Sequence, residues 1–252
     1  PLHLIAAGRT HPGQRRALNE DAWKIADVSD TAHTWAQRGR LFAVADGMGG
    51  HAAGEVASQL AIETLFSEYY GHAELPLPPA MRLEQAMQIA NQKIFEQSAA
   101  RQSQAGMGTT IVAAVVRDDW LTIANVGDSR AYLIRGQKIQ QLTTDHSWVN
   151  EQIKAGHLKK SEAEIHPLRN IITRALGIVE NVDVEVVNQK ISADDILILC
   201  SDGLNTSLSD NEIMEEVLDN KDDLKTACHN LIQKVNSNGG EDNTTIIAVK
   251  FQ

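Results

Sequence analysis

The sequence predicts an α+β sandwich, and three observations carry that expectation. Short apolar runs of β character outnumber the helical patterns: Leu41 to Ala45, Thr110 to Val116, Trp120 to Val126, Ile196 to Cys200, and Thr244 to Val249. The strands cluster before and between the helices instead of alternating with them, which disfavours a doubly wound parallel sheet. The helical patterns themselves are amphipathic, with one face free to cover a sheet.

The first helix carries Ala53, Ala57, Leu60, Ala61 and Leu65 at helical spacing within Ala52 to Tyr70. A second, Met81 to Phe95, presents Leu83, Ala86, Met87, Ala90 and Ile94. The Pro76, Pro78 and Pro79 loop separates the two, so they are expected to be antiparallel neighbours. A late helix carries Leu224, Ala227, Cys228, Leu231, Ile232 and Val235. Ser209 with Glu212, and Ser161 with Glu164, have capping-box spacing, so short helices are expected to start at both places. From about 145 to 177 the chain turns polar, with Trp148, His157, His166 and Arg169, and reads either as an irregular flap over a site or as a solvated connection.

Residues 1–252 are expected to form a single domain, a length common for sheet-rich folds. The formal net charge of -10 repels phosphate backbones and argues against general nucleic-acid binding. The longest apolar runs are too short to cross a bilayer, and the N-terminus lacks a basic-then-apolar signal pattern. Cys200 and Cys228 lack ligand spacing and read as buried, reduced thiols, which favours the cytoplasm. Nothing resembles a heptad seam, so a monomer is expected.

Three of the apolar strands end in aspartate, at Asp46-Gly47, Asp128 and Asp202-Gly203, and Asp242 immediately precedes a fourth. In an antiparallel sheet the end of one strand lies beside the start of its neighbour, so these carboxylates can converge on one edge. A single Asp-Gly pair is ordinary turn chemistry. Four aspartates at strand boundaries are more than turns require, and an unpaired cluster would suffer repulsion and desolvation, so something positive is expected among them. An oxygen-only set of aspartates suits Mg2+ or Mn2+, whereas zinc would call for His or Cys.

Ahead of the first strand stands Gly13-Gln-Arg-Arg16-Ala-Leu-Asn19-Glu20-Asp21, where the Arg16 guanidinium can hold a phosphate through two parallel hydrogen bonds. Gly47-Met48-Gly49-Gly50-His51 is a flexible turn opening a helix. It is neither a dinucleotide fingerprint nor a P-loop, and no GxSxG elbow occurs, so the nucleophile is expected to be water.

Taken in order, the motifs resemble the type 2C family of metal-dependent serine/threonine protein phosphatases, and its compact bacterial members in particular. They are Arg16 with Asn19-Glu20-Asp21, Val44-Ala-Asp46-Gly47-Met-Gly-Gly-His51-Ala-Ala-Gly54, Met107-Gly-Thr-Thr110, and Val126-Gly-Asp128-Ser-Arg130. Leu142-Thr-Thr-Asp145-His146, Asn170-Ile-Ile-Thr-Arg174-Ala-Leu-Gly177, Leu199-Cys-Ser-Asp202-Gly203-Leu204 and Gly240-Glu-Asp242-Asn243 follow. The resemblance implies a four-layer α-β-β-α sandwich with two central antiparallel sheets and metals at one sheet edge.

It further implies two Mn2+ or Mg2+ ions, with Asp46 bridging them, the Gly47 carbonyl on the second, and Asp202 and Asp242 completing the first. Asp128 matches the position that, with Asp202, supports a third ion. Arg16 would bind the phosphoryl oxygens, Asp21 would orient water, and Glu20 would contribute directly or through a neighbour. Some relatives place a histidine directly after the bridging Asp-Gly to protonate the leaving group. Here Met48 stands there, leaving His51 or water as the acid. The expected partners are phosphorylated proteins and an opposing serine/threonine kinase. The alternative is a catalytically idle phosphoprotein-binding regulatory scaffold, against which the intact acidic set speaks.

Overall fold

Side chains alternate across a strand, and in this chain both faces of the central strands are apolar, so each sheet must be covered twice. The computed structural model describes residues 2–26, 38–49, 53–71, 77–163 and 165–252. Among them, β1 (Leu4–His11), β11 (Thr244–Phe251), β10 (Ile196–Cys200), β7 (Arg130–Arg135) and β8 (Lys138–Gln141) form a five-stranded sheet in that order. A six-stranded sheet runs β2 (Asp21–Ile25), β3 (Arg40–Met48), β5 (Ile111–Arg117), β6 (Trp120–Val126) and β9 (Glu185–Lys190), with the short β4 (Gly108–Thr109) paired to the end of β3. Every pairing is antiparallel.

On β3, Phe42 and Val44 point into the space between the sheets, where they meet Val112, Leu197, Leu199 and Ile247. Their neighbours Leu41, Ala43 and Ala45 point the other way, against α1 (Ala53–Gly71) and α2 (Pro79–Ala100), whose Ala57, Ala61, Leu65, Leu83 and Met87 are buried there. On the opposite side, Ile196, Ile198, Ile246 and Ala248 pack against Ile213 and Val217 of α6 (Asp210–Asp219) and Leu231 and Ile232 of α7 (Leu224–Ser237). The result is the expected four layers. Cys200 and Cys228 are free and buried in the last of these cores.

The Ser209 capping box is present, with the Ser209 hydroxyl accepting from the Glu212 N–H and the Glu212 carboxylate accepting from the Ser209 N–H. A short helix also starts at the second expected place. That helix, α4 (Lys160–Ala163), begins a residue ahead of Ser161, because Glu162 reaches back to accept from the Lys159 N–H at 2.7 Å. Glu164 lies outside the described residues. The 145–177 stretch also contains α3 (Trp148–Lys154), and the Trp148 ring lies 4.9 Å from that of His166. Among the described residues no helix is long and apolar enough to cross a membrane.

Candidate metal centre

Antiparallel register brings the acidic strand ends together. Asp21, first residue of β2, pairs directly with Asp46 near the end of β3. β10 runs out at Cys200 beside the start of β11, so Asp202, the first residue of α5 (Asp202–Asn205), lies near Asp242, two residues ahead of β11. Asp128 occupies the turn between β6 and β7.

Backbone and hydroxyl bonds fix each of these positions. The Asp46 carbonyl accepts from the Thr110 N–H and the Thr109 hydroxyl, both at 2.9 Å, leaving its carboxylate for the site. Asn243 ties the 12–20 loop to the sheet: its Oδ1 accepts from the Glu20 N–H at 2.8 Å, and its Nδ2 donates to the Pro12 and Leu18 carbonyls. That loop carries Arg16 to the rim, where its Nη2 donates to Asp242 Oδ2 at 2.8 Å. Two glycines allow close chain approach. A Cβ on Gly47 would fall 2.0 Å from the Gly54 carbonyl oxygen, and one on Gly203 would fall 2.1 Å from that of Asn243.

Burial and mutual repulsion push the carboxyl groups toward their protonated forms. Burial, then the negative charges of Asp202 and Asp242, raises Asp21 to about 7, although hydrogen bonds from Thr245 and Ser201 oppose the rise. Burial and Asp202 and Asp145 raise Asp128 to about 8. Asp202 rises to about 6, through burial and Asp242, despite a hydrogen bond shared with Asp46. Asp46, facing Asp21, Asp202, Asp128 and Asp242, is held well above the usual carboxylate range by burial first and by those negative charges second.

Three buried oxygens in this cluster, Asp21 Oδ1, Asp128 Oδ1 and Asp202 Oδ1, have no hydrogen-bond partner. Orphaned carboxylate oxygens at this cost are what a divalent cation satisfies, and an all-oxygen donor set fits Mg2+ or Mn2+. Among the described residues no group of three or more His, Cys, Asp or Glu side chains is arranged to hold an ion as it stands. That is compatible with Mg2+-type binding, which uses one or two carboxylates and keeps several waters.

The structure thus brings Asp21, Asp46, Asp128, Asp202 and Asp242 together, with Gly47 adjoining and Arg16 at the rim. Glu20 lies beside them, but its carboxylate accepts from the Gly54 N–H at the start of α1. His51 lies outside the described residues. Sequence reasoning did not single out Ser201 and Thr245, whose hydroxyls donate to Asp21 Oδ2 at 2.8 and 2.6 Å. Their signal was small hydroxyl residues beside strand-end acids.

Residues 12–244 match the family model for protein phosphatase 2C. The chain belongs to the protein phosphatase 2C family. It is 38% identical over 249 residues to a serine/threonine phosphatase, stp, of Listeria monocytogenes serotype 4b, covering 98% of this chain and 96% of that one. Among solved structures of the family, Stp1 from Staphylococcus aureus superposes with a TM-score of 0.89 at 34% identity, over 99% of this chain and 96% of its own. The catalytic domain of the phosphatase PstP, solved in complex with two manganese ions, gives 0.85 at 33% identity, over 100% and 99%. The two antiparallel sheets between helical layers are the family's fold.

Proposed function

We propose that this protein phosphatase 2C chain hydrolyses phosphoserine and phosphothreonine in phosphoproteins at a binuclear Mn2+ or Mg2+ centre, opposing a serine/threonine kinase in the cytoplasm. The observation that carries this reading is the convergence of five strand-end aspartates, three with an orphaned buried oxygen, beneath an arginine at the rim. Asp46, the Gly47 carbonyl, Asp202 and Asp242 would hold two ions, Asp128 with Asp202 would support a third, and Glu20 is a further candidate ligand. Ions bound there would supply an activated water and positive charge against the phosphoryl oxygens.

The chain's own residues do the rest. Arg16 pairs with Asp242 on the surface, and once cations offset the Asp242 charge its guanidinium is free to grip phosphoryl oxygens in bidentate fashion. Asp21, fixed by Ser201 and Thr245, orients water with its open Oδ1. Met48 occupies the place of the leaving-group acid found in some relatives, which leaves His51 or water to supply that proton.

A phosphothreonine peptide should release phosphate with Mn2+ and stop with chelator. Full metal-dependent activity in Asp202→Asn would overturn the assignment.

A further inference from the structure

We propose that the cleft leading away from the aspartate cluster reads acidic side chains flanking the phosphorylated residue, through Lys154, Lys160 and Arg169. The inference rests on the phosphatase reading and extends it to substrate choice. A cavity of about 940 Å3 is lined by Asp128, Asp202 and Asp242 of the cluster and, from the 145–177 stretch, by Lys154 on α3, Lys160 on α4 and Arg169 in the following turn. This lies toward the upper end of the roughly 300–1,000 Å3 that drug-sized ligands fill, so it has room for side chains beyond a single phosphorylated residue.

The cations lining it differ in what they are free to do. Arg130 is locked onto Asp145 by two bonds to Oδ2, at 2.6 and 3.1 Å, and one to Oδ1 at 2.9 Å. Lys154, Lys160 and Arg169 are exposed, and none of them forms an ion pair with a described carboxylate. Three unpaired cations in one stretch stand out in a chain of formal net charge -10. The charge of the cluster aspartates is the charge that bound ions offset. Toward an incoming peptide, the 145–177 stretch then presents these three cations, and with Asp145 taken up by Arg130, Glu241 is the remaining free acidic lining group among the described residues.

Exposed ion pairs are individually weak, so the three together are expected to give about a tenfold preference, expressed in KM and lost at high salt. The test compares, with the full chain and Mn2+, a phosphothreonine peptide flanked on both sides by Glu against the same peptide flanked by Gln. In the triple variant Lys154→Gln, Lys160→Gln, Arg169→Gln, the ratio of kcat/KM values should fall to about one, because no cations remain to read the flanks. The Gln-flanked peptide serves as each protein's internal reference. Equal handling of the two peptides by the unaltered chain, or a preference that survives in the triple variant, overturns the inference. Hydrolysis of para-nitrophenyl phosphate separates the two levels. Turnover of that ester with no flank preference sinks this inference alone, whereas no turnover of any ester sinks the phosphatase reading and this inference with it.

Discussion

Stripping metal from the protein and raising the pH should unfold it more easily, because the aspartate cluster holds protons that the unfolded chain does not. Asp21 and Asp128 titrate near 7 and 8 in the native state, and Asp46 well above its usual range, all through burial first and neighbouring carboxylates second. Unfolded, the same groups titrate near 3.9, so between there and pH 8 the unfolded state binds fewer protons and stability falls as pH rises. His146 acts in the opposite sense. Burial lowers its pKa, and it weakens the fold as pH drops through about 6.5, so the clean window is pH 6.5 to 8. Each carboxyl that stays protonated across that window contributes a slope of about 1.4 kcal/mol per pH unit. With one to two protons retained on average, the loss is about 3 kcal/mol, or roughly 6–12 °C in Tm for a domain of this size. Differential scanning calorimetry in chelator, beside the same titration in saturating Mn2+, makes the measurement. Mn2+ should flatten the slope and widen the stability gap as pH rises, since binding needs the ionised carboxylates. A metal-free Tm that is flat or rises from pH 6.5 to 8, with no growing gap to the Mn2+ form, would refute the reasoning.

Arg16→Ala should lower kcat/KM for phosphopeptides by about 10–100-fold while moving stability by no more than about 1 kcal/mol, because the Arg16–Asp242 pair is half-exposed, and activity paired with urea melts checks both. Thr245→Val removes one of the two hydrogen bonds that favour ionised Asp21, so Asp21 should titrate higher still, and the pH at which Mn2+ binding begins, read by calorimetry, should shift upward. Gly203→Ala forces its Cβ against the Asn243 carbonyl, which should cost about 1–3 kcal/mol of stability in thermal melts and weaken Mn2+ affinity by separating Asp202 from Asp242.

The strands legible in the sequence are those buried on both faces. β10 reads Ile-Leu-Ile-Leu-Cys and is wholly buried, and β5 is nearly so, because a run flanked by apolar layers needs no polar alternation. The edge and partly exposed strands were not legible. β8 is Lys-Ile-Gln-Gln with a half-exposed pattern, and β1 breaks its apolar run at Gly8-Arg9-Thr10-His11. Their identity as strands comes from pairing with distant partners, which local composition does not encode.

The site divides in the same way. The strand-end aspartates announced themselves because a carboxylate against an apolar run is costly unless used. The groups that hold Asp21 did not, since Ser201 and Thr245 stand 180 and 224 positions away from it and a small hydroxyl residue near a strand-end acid is too common a pattern to mark them. Ser161 lies one residue inside the short helix that its spacing announced, because capping-box spacing alone does not fix the first helical residue. Whether a given serine caps depends on where the backbone first turns helical, and here Lys159 holds that position.

The central claim is that Asp46, at the centre of the aspartate cluster, holds the ions on which catalysis depends. Mn2+ bound per chain, measured by equilibrium dialysis on the unaltered protein and on Asp46→Asn together with phosphate release from a phosphothreonine peptide, tests it most directly. The expected result is at least two ions on the unaltered chain, with both Mn2+ affinity and turnover falling by at least about 100-fold in the variant. Retention of both ions and of turnover by Asp46→Asn would contradict it.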